Sequence, residues 1–327
     1  MKASRLSDDA RRDLTLGAVT LTLFGAVTSA FPGFAAPASL AALLDDIAIL
    51  VMLALGQMLV ILVRGIDLSA AANLALAGML AALFNRAFPE AGVAPAIAIA
   101  VIAGATAGAA NGALVWKLKL PPIVVTLGTM SVYRGVIYPL SQGAWVNENE
   151  MSAGFIAFTR LQFAGFSMLA WIAIAVALVF IVAMRYSRGA RAFYAAGGNP
   201  DAAAYSGIDA GRMQFFAYLI NGAIAGLCGY LWVARFAVAY TDIALGFELQ
   251  VIAACLIGGV AIAGGTGSVA GVLLGCLFLG IIRNSLPLVG ISAFWQLFIN
   301  GIVIVMAVLM SARHRVRTRS ILENRPA

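Results

Sequence analysis

Long apolar runs alternate along this chain with short polar and basic connections. An α-helix rises 1.5 Å per residue, so crossing a hydrocarbon core of roughly 30 Å takes about 20 apolar residues. On that rule the pattern predicts ten spans, near residues 14–34, 45–63, 69–88, 94–116, 120–140, 163–184, 213–234, 248–263, 268–284 and 292–311. The first follows Lys2, Arg5, Arg11 and Arg12 in the manner of a secretion signal. Its apolar stretch is longer than a signal core, and it is read as a retained span. Small residues recur at helical spacing: Gly104, Gly108 and Gly112 form one ladder, and Gly267, Gly271 and Gly275 another. Such ladders predict helices whose backbones approach closely inside a bundle.

Two connections are short, polar and glycine-bearing: Arg64-Gly65-Ile66-Asp67-Leu68-Ser69, and Gly264-Gly265-Thr266-Gly267-Ser268. Irregular backbone beside a bilayer is stable only where protein or a water-filled cavity surrounds it. Asp67 is read as the N-cap of the third span, paired with Arg64. Trp116 and Trp171 suit the membrane interface.

Composition narrows the class. Of the 327 residues, 62% are apolar and 11% are charged, against roughly 25% charged in a soluble domain. With a mean hydropathy of +0.97, the chain cannot clothe a water-facing surface, which excludes a soluble enzyme, a disordered regulator and a fibre. An all-α polytopic membrane protein fits. The net charge of +7 does not point to nucleic acid, because the basic residues sit in short clusters between spans. With the N-terminus inside and ten crossings, 16 of the 21 Lys and Arg residues fall on the inner side, the basic tail included. That bias predicts N-in and C-in, which nine or eleven spans would break. Residues 1–13 then form an inner tail, 14–312 the membrane domain, and 313–327 a basic inner tail.

Catalytic chemistry finds few candidates. His314 is the sole histidine and lies in the tail; Cys228, Cys255 and Cys276 sit in apolar runs without metal-ligand spacing. No metal site is expected, and neither a GxSxG turn nor paired intramembrane aspartates occur. The three lysines, Lys2, Lys117 and Lys119, belong to no GxxxxGK[ST] phosphate loop, so any ATP must be bound by another subunit. The chain is expected to have no catalytic residue and no cofactor of its own.

The connection at 185–212 is the longest on the basic side. Gly197-Gly198 is read as breaking any preceding helix; Asn199 offers an N-cap, Pro200 suits the first helical position, and Asp201 favours the positive end of the helix dipole. Ala202, Ala203, Ala204 and Tyr205 continue a short helix that Gly207 can close. One or two turns lying along the inner face are therefore predicted.

Four stretches, taken together, resemble the permeases of ribose-type ATP-binding-cassette importers: LGQMLVILVRGIDLSAAANLALAG at 55–78, LKLPPIVVTLGTMSVYRG at 118–135, FYAAGGNPDAAAYSGI at 193–208, and ELQVIAACLIGGVAIAGGTGSVAGVLLG at 248–275. This chain departs from the family pattern in having Arg64 where Gly is usual and Ala70-Ala71 where Val-Gly is usual. The resemblance implies a permease subunit in a bacterial inner membrane, working with an ATPase subunit, a second permease subunit and a periplasmic sugar-binding protein. It also implies that Asn199 to Gly207 dock on the ATPase as a coupling helix. The implied cargo is a monosaccharide: rhamnose, autoinducer-2 or a ribose-like sugar.

Polar groups in spans are costly and usually face a bundle interior. Gln57, Asn73, Asn111, Thr126, Tyr133, Arg134, Asn221, Glu248, Gln250, Gln296 and Asn300 are the pathway candidates, amides and hydroxyls suited to a neutral sugar. Each amide could equally join helix to helix. An ion-coupled secondary transporter of a small polar solute is the rival reading, but it calls for an acidic relay, and only Glu248 comes close. The outer segment 141–162, with Glu148, Glu150 and Arg160, is long enough to receive a binding protein and equally suits a plain surface loop.

Overall fold

The computed structural model describes residues 8–291 and, beyond them, 295, 298, 301 and 302. The predicted span at 292–311 therefore falls almost wholly outside the described residues, as do Gln296, Asn300 and the basic tail.

Twelve α-helices occur among the described residues: α1 Asp8–Ala30, α2 Pro37–Leu62, α3 Ala70–Ala87, α4 Val93–Lys117, α5 Pro122–Ser141, α6 Ala153–Arg160, α7 Met168–Tyr186, α8 Arg188–Gly198, α9 Pro200–Tyr205, α10 Ala210–Phe236, α11 Phe247–Ile257 and α12 Val269–Ser285. Eight of these are long and apolar enough to cross a membrane: α1 to α5, α7, α10 and α12. The chain is an all-α, multi-pass membrane protein.

The structure departs from the expected spans at several ends. The helix expected at 248–263 stops at Ile257, and at 1.5 Å per residue its 11 residues reach about 16 Å, half a hydrocarbon core. Gly259, Gly264 and Gly265 then take left-handed backbone (φ +80°, +83°, +74°), which turns the chain into an irregular loop. Gly267 lies in that loop, ahead of α12, so the second small-residue ladder shortens to Gly271 and Gly275. The span expected from 163 starts at Met168, because residues 162–167 form a two-stranded hairpin, β1 Gln162–Phe163 and β2 Phe166–Ser167. Helix α1 begins at Asp8, inside the expected tail.

The most enclosed helices, α2, α3 and α10, make the centre. Helix α10 packs on α2, α3 and α4, α7 on α2, α5 on α3, and α1 on α12. The α4–α10 contact is backbone against backbone. A Cβ on Gly104 or Gly108 would overlap the carbonyl oxygens of Gly222 and Tyr218, respectively. Between helices that both sit in lipid there is no hydrophobic gain, so close van der Waals approach is what holds such a pair.

The contacts sort onto two faces, as alternating spans require. On one side the ends of α2 and α8 meet the 258–268 loop: Gly265 donates to the Leu62 carbonyl (2.9 Å). Trp116, at the end of α4, packs on Phe215 near the start of α10. On the other side Val146 bridges to Ala239, Asn85 donates to Ser152 Oγ (2.9 Å), and Arg86 pairs with Glu150 (3.2 Å). There Arg235 also ties α10 to Asp45 and Asp46 of α2, and Ser167 bonds Asp45. Trp171, at the outer start of α7, donates to the Phe163 carbonyl (2.9 Å). The segment 141–162 is thus fastened down by bridges to α3 and to the loop after α10.

Candidate functional site

Two polar assemblies stand out at the end of the bundle that the charge bias predicts to be inner: an exposed capped turn, and a buried network around the loop that joins α2 to α3.

The capped turn forms as its residues dictate. Asn199 Oδ1 accepts from Ala202 N–H (3.1 Å), Pro200 occupies the first helical position, and Asp201 lies in the first turn. After Tyr205 the chain reverses: Gly207 takes φ +78°, and Ile208 N–H returns to the Ala203 carbonyl (2.9 Å). Asp201, Ala202, Ala204 and Tyr205 point outward, and Tyr205 is 94% exposed. Ala203 alone faces inward, at 4% exposure. As expected, Gly197 and Gly198 end the helix before them, α8, and Gly197 is also there for closeness, since a Cβ would overlap the Leu62 carbonyl oxygen. Helix α8 itself, with Ser187 accepting from Ala190 N–H (3.0 Å), was legible only as the cap-ready Ser before a basic amphipathic stretch.

The buried network centres on Asp67, which is 2% exposed. Its Oδ1 accepts from Ser69 N–H (2.9 Å) and Ser69 Oγ (2.6 Å), and its Oδ2 accepts from Asn221 Nδ2 (2.9 Å). Asn111 Nδ2 donates on to Ser69 Oγ (2.8 Å), and the Tyr133 hydroxyl lies within bonding reach of Asn111 Oδ1 (3.1 Å) and the Ala107 carbonyl (2.8 Å). The Gln57 amide, oriented to match donors with acceptors, accepts from Asp67 N–H (3.0 Å) and donates to its carbonyl (3.3 Å). Thr126 and Tyr218 hydroxyls both donate to the Ile66 carbonyl (3.1 and 3.3 Å), and Asn73 donates to Gly104 (3.0 Å). Burial dominates at Asp67 and pushes its carboxyl above the usual carboxylate value, against the pull of the Ser69 and Asn221 donors.

Six sequence-chosen residues, Gln57, Asn73, Asn111, Thr126, Tyr133 and Asn221, are thereby brought around one loop, bonded to one another or to backbone. Asp67 is the network's hub: it does not cap α3, whose N-cap position is Ser69, and it does not pair with Arg64. It forms a side-chain turn with Ser69, as Asp two residues before a backbone N–H commonly does. Arg64 instead reaches away, with Nε donating to the Gly197 carbonyl (2.6 Å) and Nη2 to the Gly198 carbonyl (2.9 Å).

The other candidates lie elsewhere. Glu248 opens α11 and faces Arg134 of α5, which donates to the Thr241 and Ile243 carbonyls (2.6 and 3.1 Å). Gln250 lines a cleft with Asp46, Arg283 and Asn284. Among the described residues no cluster of three or more His, Cys, Asp or Glu could hold a metal.

Comparison with known proteins agrees with this architecture. Residues 39–308 match the family model described as branched-chain amino acid transport system / permease component. The ribose import permease protein of Escherichia coli K12 is 35% identical over 297 residues, covering 89% of this chain and 90% of the relative. The chain belongs to the ribose-type permease family of ATP-binding-cassette importers. Within that family, the ribose import permease protein of Bacillus subtilis 168 is also 35% identical, over 86% of this chain and 87% of its own length. The autoinducer 2 import system permease protein of Photorhabdus luminescens is 30% identical over 96% of this permease and 94% of the relative. No solved structure matches the chain.

Proposed function

We propose that this permease is one of two transmembrane subunits of an ATP-driven importer for a monosaccharide in a bacterial inner membrane. A separate ATPase subunit moves α9, and a periplasmic binding protein delivers the sugar to the outer side. The single observation that carries the reading is the α9 turn: a helix capped at both ends, rigidly based on α8, with Tyr205 and its neighbours presented outward. A linker need only connect; this unit offers a firm, shaped face for a partner to push.

In this reading the spans hinge as rigid bodies between inward and outward openings. The Asp67 network holds the 63–69 loop in register with α4, α5 and α10 during that motion. Glu248 and Gln250, described candidates outside the network, are the residues assigned to the sugar's path in this reading. Ribose and autoinducer-2 are named for the relatives, and these two with rhamnose are the sugars to load. The division into two inner tails and one membrane domain is part of the same proposal.

The test is sugar uptake by proteoliposomes holding the permease with its ATPase and binding protein. ATP inside should drive uptake, and mutation of the ATPase's phosphate-loop lysine should abolish it. Ala204→Arg, on the exposed face of α9, should sever uptake from ATP turnover while the melting temperature holds. Ala203→Arg is the poorer probe, since Ala203 is packed inward. Uptake that continues on a proton gradient without ATP would overturn the importer reading.

A further inference from the structure

We infer that Arg64 is a strut that passes displacement of α9 to the loop carrying Asp67; the inference rests on the import reading above. Arg64 takes left-handed backbone (φ +65°), a conformation that an L side chain adopts at a cost and that glycine adopts freely. Something must offset that cost, and the side chain shows what. Its guanidinium holds the Gly197 and Gly198 carbonyls together, at 2.6 and 2.9 Å. These are the last two carbonyls of α8, which no intrahelical N–H can satisfy and which carry the negative end of the helix dipole. A planar guanidinium offers two donors in a fixed fork, which a single ammonium cannot match.

The position makes this contact mechanical. Asn199 follows Gly198 directly and caps α9, so only one residue separates the held carbonyls from the helix. Behind Arg64, the backbone is anchored by Gly65 N–H on the Val60 carbonyl (2.8 Å) and by Gln214 on the Val63 carbonyl (3.2 Å). Ahead of it, Ile66 accepts from Thr126 and Tyr218, and Asp67 binds Asn221 of α10. One side chain therefore connects the exposed turn to a loop wired into α5 and α10. A push on α9 that moves Gly198 must either pull the 63–67 loop or break two charge-assisted hydrogen bonds.

The bland alternative is that Arg64 merely caps α8 and adds stability. The two differ in what they change. Arg64→Gly fits the left-handed backbone and removes only the fork; Arg64→Lys keeps the charge with one point of attachment. The complex in proteoliposomes should then consume several-fold more ATP per sugar with Arg64→Gly, with Arg64→Lys between it and the parent. In the full-length permease alone, amide hydrogen exchange over residues 195–206 should rise by about tenfold or more in Arg64→Gly, which removes both bonds to the end of α8. An unchanged ATP-to-sugar ratio, or uptake and ATP turnover falling in equal proportion, would overturn the strut. So would unchanged exchange over 195–206. A parent complex that takes up no sugar with ATP would instead sink the import reading, and the exchange result would still say whether Arg64 holds the turn.

Discussion

Asp67 is the residue at which burial and hydrogen bonding oppose each other most directly. Its three donors suit a carboxylate, yet burial outweighs them and favours the protonated form. A carboxyl whose folded pKa lies above its ordinary value of 3.8 holds more protons folded than unfolded. Stability is therefore full below that value and lost as pH rises through the folded pKa. Asp67→Asn removes this dependence. Its oxygen can still accept from Ser69, and its amide can donate to Asn221 once that side chain turns. The turned Asn221 presents Oδ1, which otherwise has no partner. As pH rises from 3.8 through the folded pKa, the melting temperature should fall less for Asp67→Asn than for the parent, whereas Asp67→Ala, which strands three donors, should cost about 3 kcal/mol throughout. Parallel pH curves for parent and Asp67→Asn would refute the assignment.

Between helices, the close contacts are made by what glycine lacks. Gly108 of α4 meets the Tyr218 carbonyl and the Gly222 backbone of α10, so Gly108→Ala must push the two helices apart. Overpacking of this kind costs roughly 1–3 kcal/mol. Gly128 of α5 has open space where a Cβ would go, and Gly128→Ala should leave stability unchanged or raise it by up to about 1 kcal/mol. Detergent melts that rank the two variants in the opposite order would contradict the α4–α10 contact. The ladder at 104, 108 and 112 could be read from spacing alone, as could the α9 turn, because Asn-Pro-Asp at the start and Gly207 at the end are local signals. What escaped was decided by distant partners. After the early stop of α11, Gly259 turns left-handed against Arg12 of α1, and Gly264 and Gly265 do so against the ends of α2 and α8. The Arg64–Gly197 bond joins residues 133 positions apart, so no window of sequence contains it.

For the molecule as a whole, charge bias names an inner side, and packing states independently which loops share an end. The bias puts Arg64, Lys117, Arg188 and Arg212 inside; the packing gathers the loops that carry Arg64, α8 and residues 258–268 at one end, and the 141–162 segment with the α10–α11 loop at the other. Alternation along α1 to α5, α7 and α10 satisfies both at once, and a helix threaded the wrong way would break the agreement at every later loop. The three native cysteines are fully buried, so an introduced one dominates labelling. With Glu148→Cys, a membrane-impermeant maleimide should react in intact spheroplasts; with Tyr205→Cys, at the exposed tip of α9, it should react only after permeabilisation. Labelling of position 205 from outside would invert the topology and remove α9 from the reach of any cytoplasmic ATPase. Labelling only after permeabilisation places α9 where a cytoplasmic ATPase can reach it, and the uptake assay on Ala204→Arg then decides whether it is pushed.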